Sequence, residues 1–183
     1  TDRLSAGVNA SLGSSYFDVP FVGNGAMVQA YGLRGGVGLN YDLGDATTVG
    51  CYWQSRQRFD FENAISLDLG GVAFDVRRNV KMDLPSNVGI GIANRALMNG
   101  KLLVAVDFLF KQWEDARLFS SVYRNQWAFQ FGTQYSHNRL RLRAGYVYAM
   151  NPIKPVNTVE VSGIPLPGLQ NAVEYVQSQF ALI

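Results

Sequence analysis

The sequence has few of the residues that most catalytic and metal sites require. Its 183 residues contain one cysteine, Cys51, and one histidine, His137. A lone cysteine forms no disulfide within the chain, and His137 lies in a predicted tight turn. The sequence therefore lacks the residues for a Ser/His/Asp or Cys/His catalytic site, and it has too few ligands for a His/Cys metal cluster. We predict that the protein is not an enzyme and binds neither a metal nor a cofactor.

Charge and long hydrophobic runs are also scarce. Charged residues make up 16% of the chain, which carries a net charge of +2, whereas soluble domains are roughly one quarter charged. The absence of basic runs and of zinc-ligand spacing argues against nucleic acid as a partner. No apolar run approaches the ~18 residues of a membrane-spanning helix. The N-terminal sequence shows no cleavable signal pattern, which predicts a mature or truncated chain.

What the sequence does contain is alternation of apolar and polar residues. Between Arg124 and Pro152, Trp127, Phe129 and Phe131 share one face of an extended chain, and Gln126 and Gln130 share the other. A soluble sandwich would bury the aromatic face, whereas a membrane barrel would turn it towards lipid. Alternation alone does not separate these two cases.

The same period recurs along the whole chain and predicts roughly nine strands and no helix. These strands are about ten to fourteen residues long, which favours tilted membrane-spanning strands over the shorter strands of soluble proteins. The prolines fall between them, as uninterrupted ladders require. We predict an all-β fold, an antiparallel transmembrane β-barrel of the outer-membrane type. The apolar positions are Leu4 to Tyr16, Val37 to Leu43, Val49 to Phe61, Phe74 to Met82, Val88 to Ile92, Leu102 to Phe110, Trp127 to Tyr135, Leu140 to Met150 and the C-terminal "AVEYVQSQFALI".

Three tight turns can be placed by matching apolar faces. A two-residue turn at His137-Asn138 would pair Tyr135 with Leu140. A three-residue loop over 44–46 would pair Tyr41 with Val49. A three-residue loop over 99–101 would pair Ile92 with Phe108.

The connections between strands alternate between short and long, as in membrane barrels. The "PSN" joint at 85–87 breaks this pattern. Either the preceding stretch is structure belonging to a long loop, or the joint is itself a short external turn, and we favour the second. Aromatic residues cluster near the strand ends and predict girdles at the two membrane interfaces. They are Tyr41, Trp53, Phe59, Phe61, Phe108, Phe110, Trp113, Trp127, Tyr146 and Tyr148.

Several stretches, taken in order, resemble the FadL/TodX family of outer-membrane transporters of long-chain fatty acids and hydrocarbons. "GGVGLNYDLGDATTVGCYWQSRQRFDF" is similar to the family's strand-turn-strand unit. "MDLPSNVGIGIANRAL" resembles its Leu-Pro strand start, and "KLLVAVDFLFKQWED" its strand ending in Trp. "LRLRAGYVYAMNPI" and "GIPLPGLQNAVEYVQSQFALI" resemble the strands and loop that follow.

The resemblance implies that residues 1–183 are part of a barrel of about fourteen strands. The family's N-terminal plug, kinked third strand and terminal strands have no counterpart in the sequence. The implied function is passive uptake of hydrophobic ligands across the bacterial outer membrane, in contact with outer-membrane lipids or lipopolysaccharide. The end of the first strand, "SSYFD", has no basic residue where fatty-acid members carry one. Neutral hydrocarbons are therefore an alternative class of ligand.

The resemblance also indicates where ligands bind. Residues 17–30 occupy the place of a capture loop and are markedly apolar, which suits a binding surface. The alternative is that they form a lid over the barrel mouth. The capture residues are Phe17, Val19, Phe21, Val22, Met27 and Val28.

Basic residues facing the lumen are the natural anchors for an acidic head group, because guanidinium binds carboxylate bidentately. The candidates are Arg56, Arg95, Lys111, Arg141 and Arg143. The alternative is that such residues pair with Asp42, Asp60, Asp75 or Asp107 to satisfy the barrel interior. Other functions open to this fold are a general porin and a structural component of an envelope complex.

Overall fold

The computed structural model describes residues 3–18, 27–67, 76–154, 158–161 and 164–167. Eleven β-strands lie in these ranges, together with a 3-10 helix at Trp113–Asp115. The strands are β1 (Leu4–Phe17), β2 (Val28–Asp42), β3 (Thr47–Gln54), β4 (Gln57–Leu67), β5 (Val76–Leu84), β6 (Asn87–Leu97), β7 (Leu102–Lys111), β8 (Gln126–His137), β9 (Leu140–Ala149), β10 (Thr158–Val161) and β11 (Ile164–Pro167).

Seven of these strands form one sheet, which we call the wall. Its order is β1-β2-β3-β6-β7-β8-β9, every neighbouring pair is antiparallel, and the sheet curls into about half of a barrel. The prediction of an antiparallel barrel fold is therefore confirmed. Within the described ranges, no helix is long and apolar enough to cross a membrane.

Pairing of the strands keeps the two faces of the wall distinct, because partners directly opposite each other point to the same side. Leu39, for example, pairs with Cys51, and Cys51 pairs with Ile90. The apolar face carries Leu4, Val8, Leu12, Tyr16, Tyr31, Leu33, Val37, Leu39, Tyr41, Val49, Cys51, Trp53, Val88, Ile90, Ile92, Val104, Val106, Phe108, Phe110, Trp127, Phe129, Phe131, Leu140, Leu142, Tyr146 and Tyr148.

The apolar face is open in this chain. Val8 is 85% exposed. Phe129 is 45% exposed, as predicted for an aromatic face that is turned towards lipid. We call the end of the wall with residues 43–46 and 98–101 the turn end, and the opposite end the mouth. Aromatic residues form a row on the apolar face near the mouth, where the Trp127 ring lies 4.2 Å from that of Phe110 and 4.8 Å from that of Phe108 between centroids.

The predicted turns had mixed outcomes. Tyr41 pairs with Val49 across Gly44–Ala46, as predicted. The β8–β9 prediction was wrong by two residues, since Tyr135 pairs with Leu142 around a turn at Asn138-Arg139. The β6–β7 prediction was wrong in the same way, because an irregularity after Asn94 pairs Ile92 with Val106. Slips of two residues leave every side chain on its original face, so apolar matching does not detect them.

The strands β4 and β5 do not belong to the wall. They form a separate antiparallel hairpin, while β3 and β6 pair directly with each other. The interpretation of "PSN" as a short external turn was therefore wrong, and the stretch before it is a long loop's own structure. The prediction of one strand from Val49 to Phe61 was also wrong, because the chain leaves the wall after Gln54.

The buried core of the described residues lies between this hairpin and the mouth ends of β1 and β2. It contains Ala30, Phe59, Phe61, Ala64 and Val80, with Phe17 and Val28 packed against it. Phe59 and Phe61, predicted as girdle residues, are 3% and 0% exposed. Trp113 also lies off the wall, where its ring contacts those of Phe119 and Tyr123 edge to face.

Candidate functional site

The polar face of the wall contains a shallow trough. Two adjoining hollows of about 480 Å³ and 440 Å³ share Gly38 and Tyr52. Glycines form much of the trough floor. Because a glycine has no side chain, the backbone of the sheet is uncovered at these positions and the surface is low. Polar side chains are spaced along it. The residues of the polar face that line it are Gly7, Asn9, Gly36, Gly38, Asn40, Thr48, Gly50, Tyr52, Gln54, Gly89, Gly91, Ala93, Ala105, Asp107, Leu109 and Gln130.

The β4–β5 hairpin covers the polar face at the mouth end of β1 and β2. A Cβ atom on Gly32 would lie 2.6 Å from the backbone oxygen of Arg58, and one on Gly13 would lie 2.6 Å from Nε2 of Gln57. That amide group donates a buried hydrogen bond of 2.8 Å to the Gly32 carbonyl. Glycine at position 32 therefore permits the close approach of the β4 backbone to the wall.

Arg34 fastens the base of the hairpin to the wall. Its Nε donates to the Ser55 carbonyl and its Nη2 to the Pro85 carbonyl, both at 2.9 Å. The backbone N–H of Gly35 also donates to Oγ of Ser55 at 2.9 Å. Since Ser55 and Pro85 flank the hairpin on either side, one planar guanidinium holds both of its ends.

Asp83 connects the hairpin to the loop between β7 and β8. Its side chain is 0% exposed, and Arg117 binds it in a fork, with Nε 2.9 Å from Oδ2 and Nη2 2.7 Å from Oδ1. Arg56 lies 3.6 Å from the same carboxylate. Arg117 also lies 3.3 Å from Oδ1 of Asp60. This cluster satisfies a buried charge, which would otherwise be costly.

The protonation equilibria of Asp83 and Arg117 reflect this pairing. Burial alone would raise the pKa of Asp83, but the hydrogen bonds and charge of Arg117, with the charge of Arg56, outweigh burial and lower it. The same hydrogen bond, together with the charges of Asp83 and Asp60, raises the pKa of Arg117 above its ordinary value, against the opposing effect of burial. Both shifts favour the charged pair.

We expect the hairpin to loosen in acid. Because the folded pKa of Asp83 lies below its unfolded value of about 3.9, the pair contributes fully above that value and its contribution is lost as the pH falls through the folded pKa. Hydrogen–deuterium exchange of residues 80–84 should show less protection below about pH 4 than at neutral pH.

Two variants distinguish the effect of the Asp83–Arg117 pair from a general destabilisation of the protein by acid. Asp83→Asn should loosen the hairpin already at neutral pH and remove most of the pH dependence. Asp60→Asn is the control, since its side chain is 62% exposed and an exposed pair contributes little. Equal pH profiles for wild type and Asp83→Asn would contradict the assignment.

The structure describes three of the six predicted capture residues. Phe17 and Val28 pair with each other at the mouth end of β1 and β2, so both strands run further than predicted. The Phe17 ring lies 5.4 Å from that of Phe61. Met27 is 68% exposed, and Val19, Phe21 and Val22 lie outside the described residues.

The predicted basic residues do not converge on one point. Arg56 contacts the Asp115 carbonyl as well as Asp83, off the wall. Lys111 lies on the polar face at the mouth, in line with Gln126. Arg95 is exposed near the turn end, where its N–H donates to the Ala46 carbonyl at 2.7 Å.

Arg141 and Arg143 lie on the polar face of β9, as predicted. Arg143 donates from Nε to Oε1 of Gln134 at 2.7 Å. Of the predicted acidic partners, Asp60 does pair, but with Arg117, and Asp75 lies outside the described residues. Binding of a ligand head group by any of these bases stays a prediction.

Sequence reasoning missed the two arginines that organise the mouth. Arg34 lies in "LRGG", where its parity with Gly36 and Gly38 would place it on the polar face, but the predicted strand begins only at Val37. Arg117 has no local signal, because its partner Asp83 is 34 residues away in the chain. A search of the described residues for metal-binding groups of three or more His, Cys, Asp or Glu found none.

Comparison with known proteins is informative at the level of structure. No family model and no curated protein sequence matches the chain. The crystal structure of the Pseudomonas putida toluene transporter TodX aligns with a TM-score of 0.53 and 21% identity, over 82% of this chain and 52% of that one. The CymD monoaromatic hydrocarbon channel aligns with a TM-score of 0.53 and 16% identity, over 86% of this chain and 58% of that one.

The chain thus spans a little over half the length of the two channels it matches. The chain shares with these two channels the fold of a curled antiparallel β-barrel wall, as its resemblance to the FadL/TodX family implied.

Proposed function

We propose that this chain forms one side of an outer-membrane channel for the passive uptake of small hydrophobic molecules. The observation that carries the proposal is the contrast between the two faces of the wall. One face exposes aliphatic and aromatic side chains over all seven strands, and the other carries glycines, amides and charges. A sheet with lipid on one side and a lumen on the other requires this arrangement.

The solved neighbours support the ligand class. They are a toluene transporter and a monoaromatic hydrocarbon channel, so hydrocarbons are the first ligands to test, and long-chain fatty acids the second. In this proposal the apolar face contacts outer-membrane lipids or lipopolysaccharide, and the trough guides the ligand along the lumen. The covered mouth end of β1 and β2 would keep the path from being an open aqueous pore.

The function is tested by uptake with the full-length protein. Cells that express it should take up labelled toluene faster than cells without it, whereas uptake of a labelled pentose should be unchanged. A water-filled porin would give the opposite result, because its lumen admits polar solutes. If expression of the protein changes the uptake rate of neither solute, the function that remains is a structural role in the envelope.

The capture proposal for the segment after β1 makes a separate prediction. Replacing Phe21 and Met27 together with Ser should weaken hydrocarbon binding, because each change removes apolar area worth ~25 cal/mol per Å² buried, a few kcal/mol at most. Barrel assembly should survive, since Met27 is exposed and precedes the first residue of β2. Uptake and heat-modifiable gel mobility measure the two effects.

Met98→Ser is the matched control for this double variant. Met98 is also exposed, at 59%, but it lies at the turn end, far from the mouth. It should leave binding unchanged. If the double variant assembles and transports normally, the segment is a lid at most and captures nothing.

A further inference from the structure

The trough contains one feature that bears on which ligands pass. We infer that Asp107 makes the trough select against carboxylate ligands, so that it favours a neutral molecule over an acid of the same shape. This inference rests on the proposed function and deepens it, because it concerns the charge of the ligand and not the existence of the channel.

Asp107 lies within the polar face, well away from both ends of β7. It pairs with Gly91 on one side and with Gln130 on the other, and all three line the larger hollow. A Cβ atom on Gly91 would lie 2.0 Å from Oδ1 of Asp107, so the side chain extends along the sheet across this glycine. The carboxylate is exposed to the trough.

The cations of the polar face lie away from Asp107. Among the residues that the structure describes, no ion pair involves Asp107. Arg34 lies six residues along β2 from Asn40, the β2 residue in line with Asp107. Arg143 and Arg141 pair with Gln134 and Ser136, which lie four and six residues along β8 from Gln130. Lys111 is four residues further along β7, about 13 Å at strand spacing, which exceeds the screening length at physiological salt.

A negative charge at this point acts on charged ligands only. Without salt, a carboxylate about 5 Å from Asp107 would bind about fourfold more weakly at the dielectric constant of water. Salt screening reduces this effect, and the lower dielectric constant near a protein surface increases it. An uncharged ligand of the same shape is not repelled by Asp107, so its affinity is not reduced. A ligand hydroxyl can donate a hydrogen bond to the carboxylate, and equally to the amide oxygen of an asparagine at this position.

Benzyl alcohol and benzoate separate charge from shape, because they differ mainly in the ionised group. Their dissociation constants can be measured by saturation-transfer NMR with the full-length protein in detergent near neutral pH. We expect wild type to prefer benzyl alcohol. Asp107→Asn should tighten benzoate binding about fourfold or more and leave benzyl alcohol unchanged, and Asp107→Lys should tighten benzoate binding further.

Asp45→Asn is the matched control, because it removes the same charge from an exposed position in the 43–46 turn. It should leave the ratio of the two dissociation constants unchanged. The inference is overturned if Asp107→Asn, correctly folded by heat-modifiable mobility, gives the wild-type ratio, as it would if another part of the barrel placed a cation opposite. Failure of wild type to bind either ligand would instead overturn the proposed hydrophobic uptake.

Discussion

Phe61→Ala is expected to release the β4–β5 hairpin from the wall at a cost of about 3–5 kcal/mol, the range for deleting a buried Phe side chain. Phe61 is 0% exposed, and its ring lies 5.4 Å from Phe17 and 6.4 Å from Phe59 between centroids. Amide exchange of residues 57–64 should accelerate by more than about a hundredfold, since about 1.4 kcal/mol is a factor of ten.

Phe131→Ala is the control for this change. It removes the same atoms from the apolar face, where Phe131 is 42% exposed and pairs with Val106 and Tyr146. Exchange in the hairpin should stay at the wild-type rate in this variant. Unchanged hairpin exchange in Phe61→Ala would show that Arg34 and the Asp83–Arg117 pair hold the hairpin without the apolar core.

Phe129→Arg is expected to impair membrane insertion of the wall by roughly 2–4 kcal/mol, the cost of a cation on the lipid side of a barrel near the midplane. Phe129 lies on the apolar face between Phe108 and Tyr148. The folded fraction in lipid vesicles, read from heat-modifiable gel mobility, measures the effect. The ligand path should be untouched, because the residue faces away from the trough.

Gln130→Arg provides the comparison at the neighbouring position. It adds the same charge one residue away, on the polar face that lines the trough, where a cation stays in water. Insertion should therefore proceed as in wild type. If both variants insert equally well, the apolar face does not meet lipid, and the proposed membrane orientation fails.

The assignment of faces from sequence was reliable because it depends on parity alone. The predicted face of Trp127, Phe129 and Phe131 is the one opposite to that of Gln126 and Gln130, and the wall has the same arrangement. The β2–β3 turn was also correct, with Tyr41 opposite Val49 and Leu39 opposite Cys51. At the β8–β9 turn two registers, differing by two residues, satisfy both faces equally, and the sequence could not choose between them.

The trough was only partly predictable. Alternation placed Asn40, Asp107 and Gln130 on one face, but each lies on a different strand. Their proximity depends on β3 pairing with β6 across an intervening hairpin. The strand order therefore creates the trough, and no local pattern encodes that order.

The long two-sided strands can be predicted from the sequence alone, because period-two alternation is a property of neighbouring residues. The departure of "RFDF" from the wall, in contrast, depends on tertiary contacts. Phe59 and Phe61 alternate like the wall residues before them, yet they are buried against Ala30 and Val80 and not exposed on the apolar face. The choice depends on Gly32, which lets β4 approach the wall, and on Arg34 and Arg117, which bind groups distant in the chain. Such contacts form only once the strands have paired, so they lie beyond the reach of any local pattern.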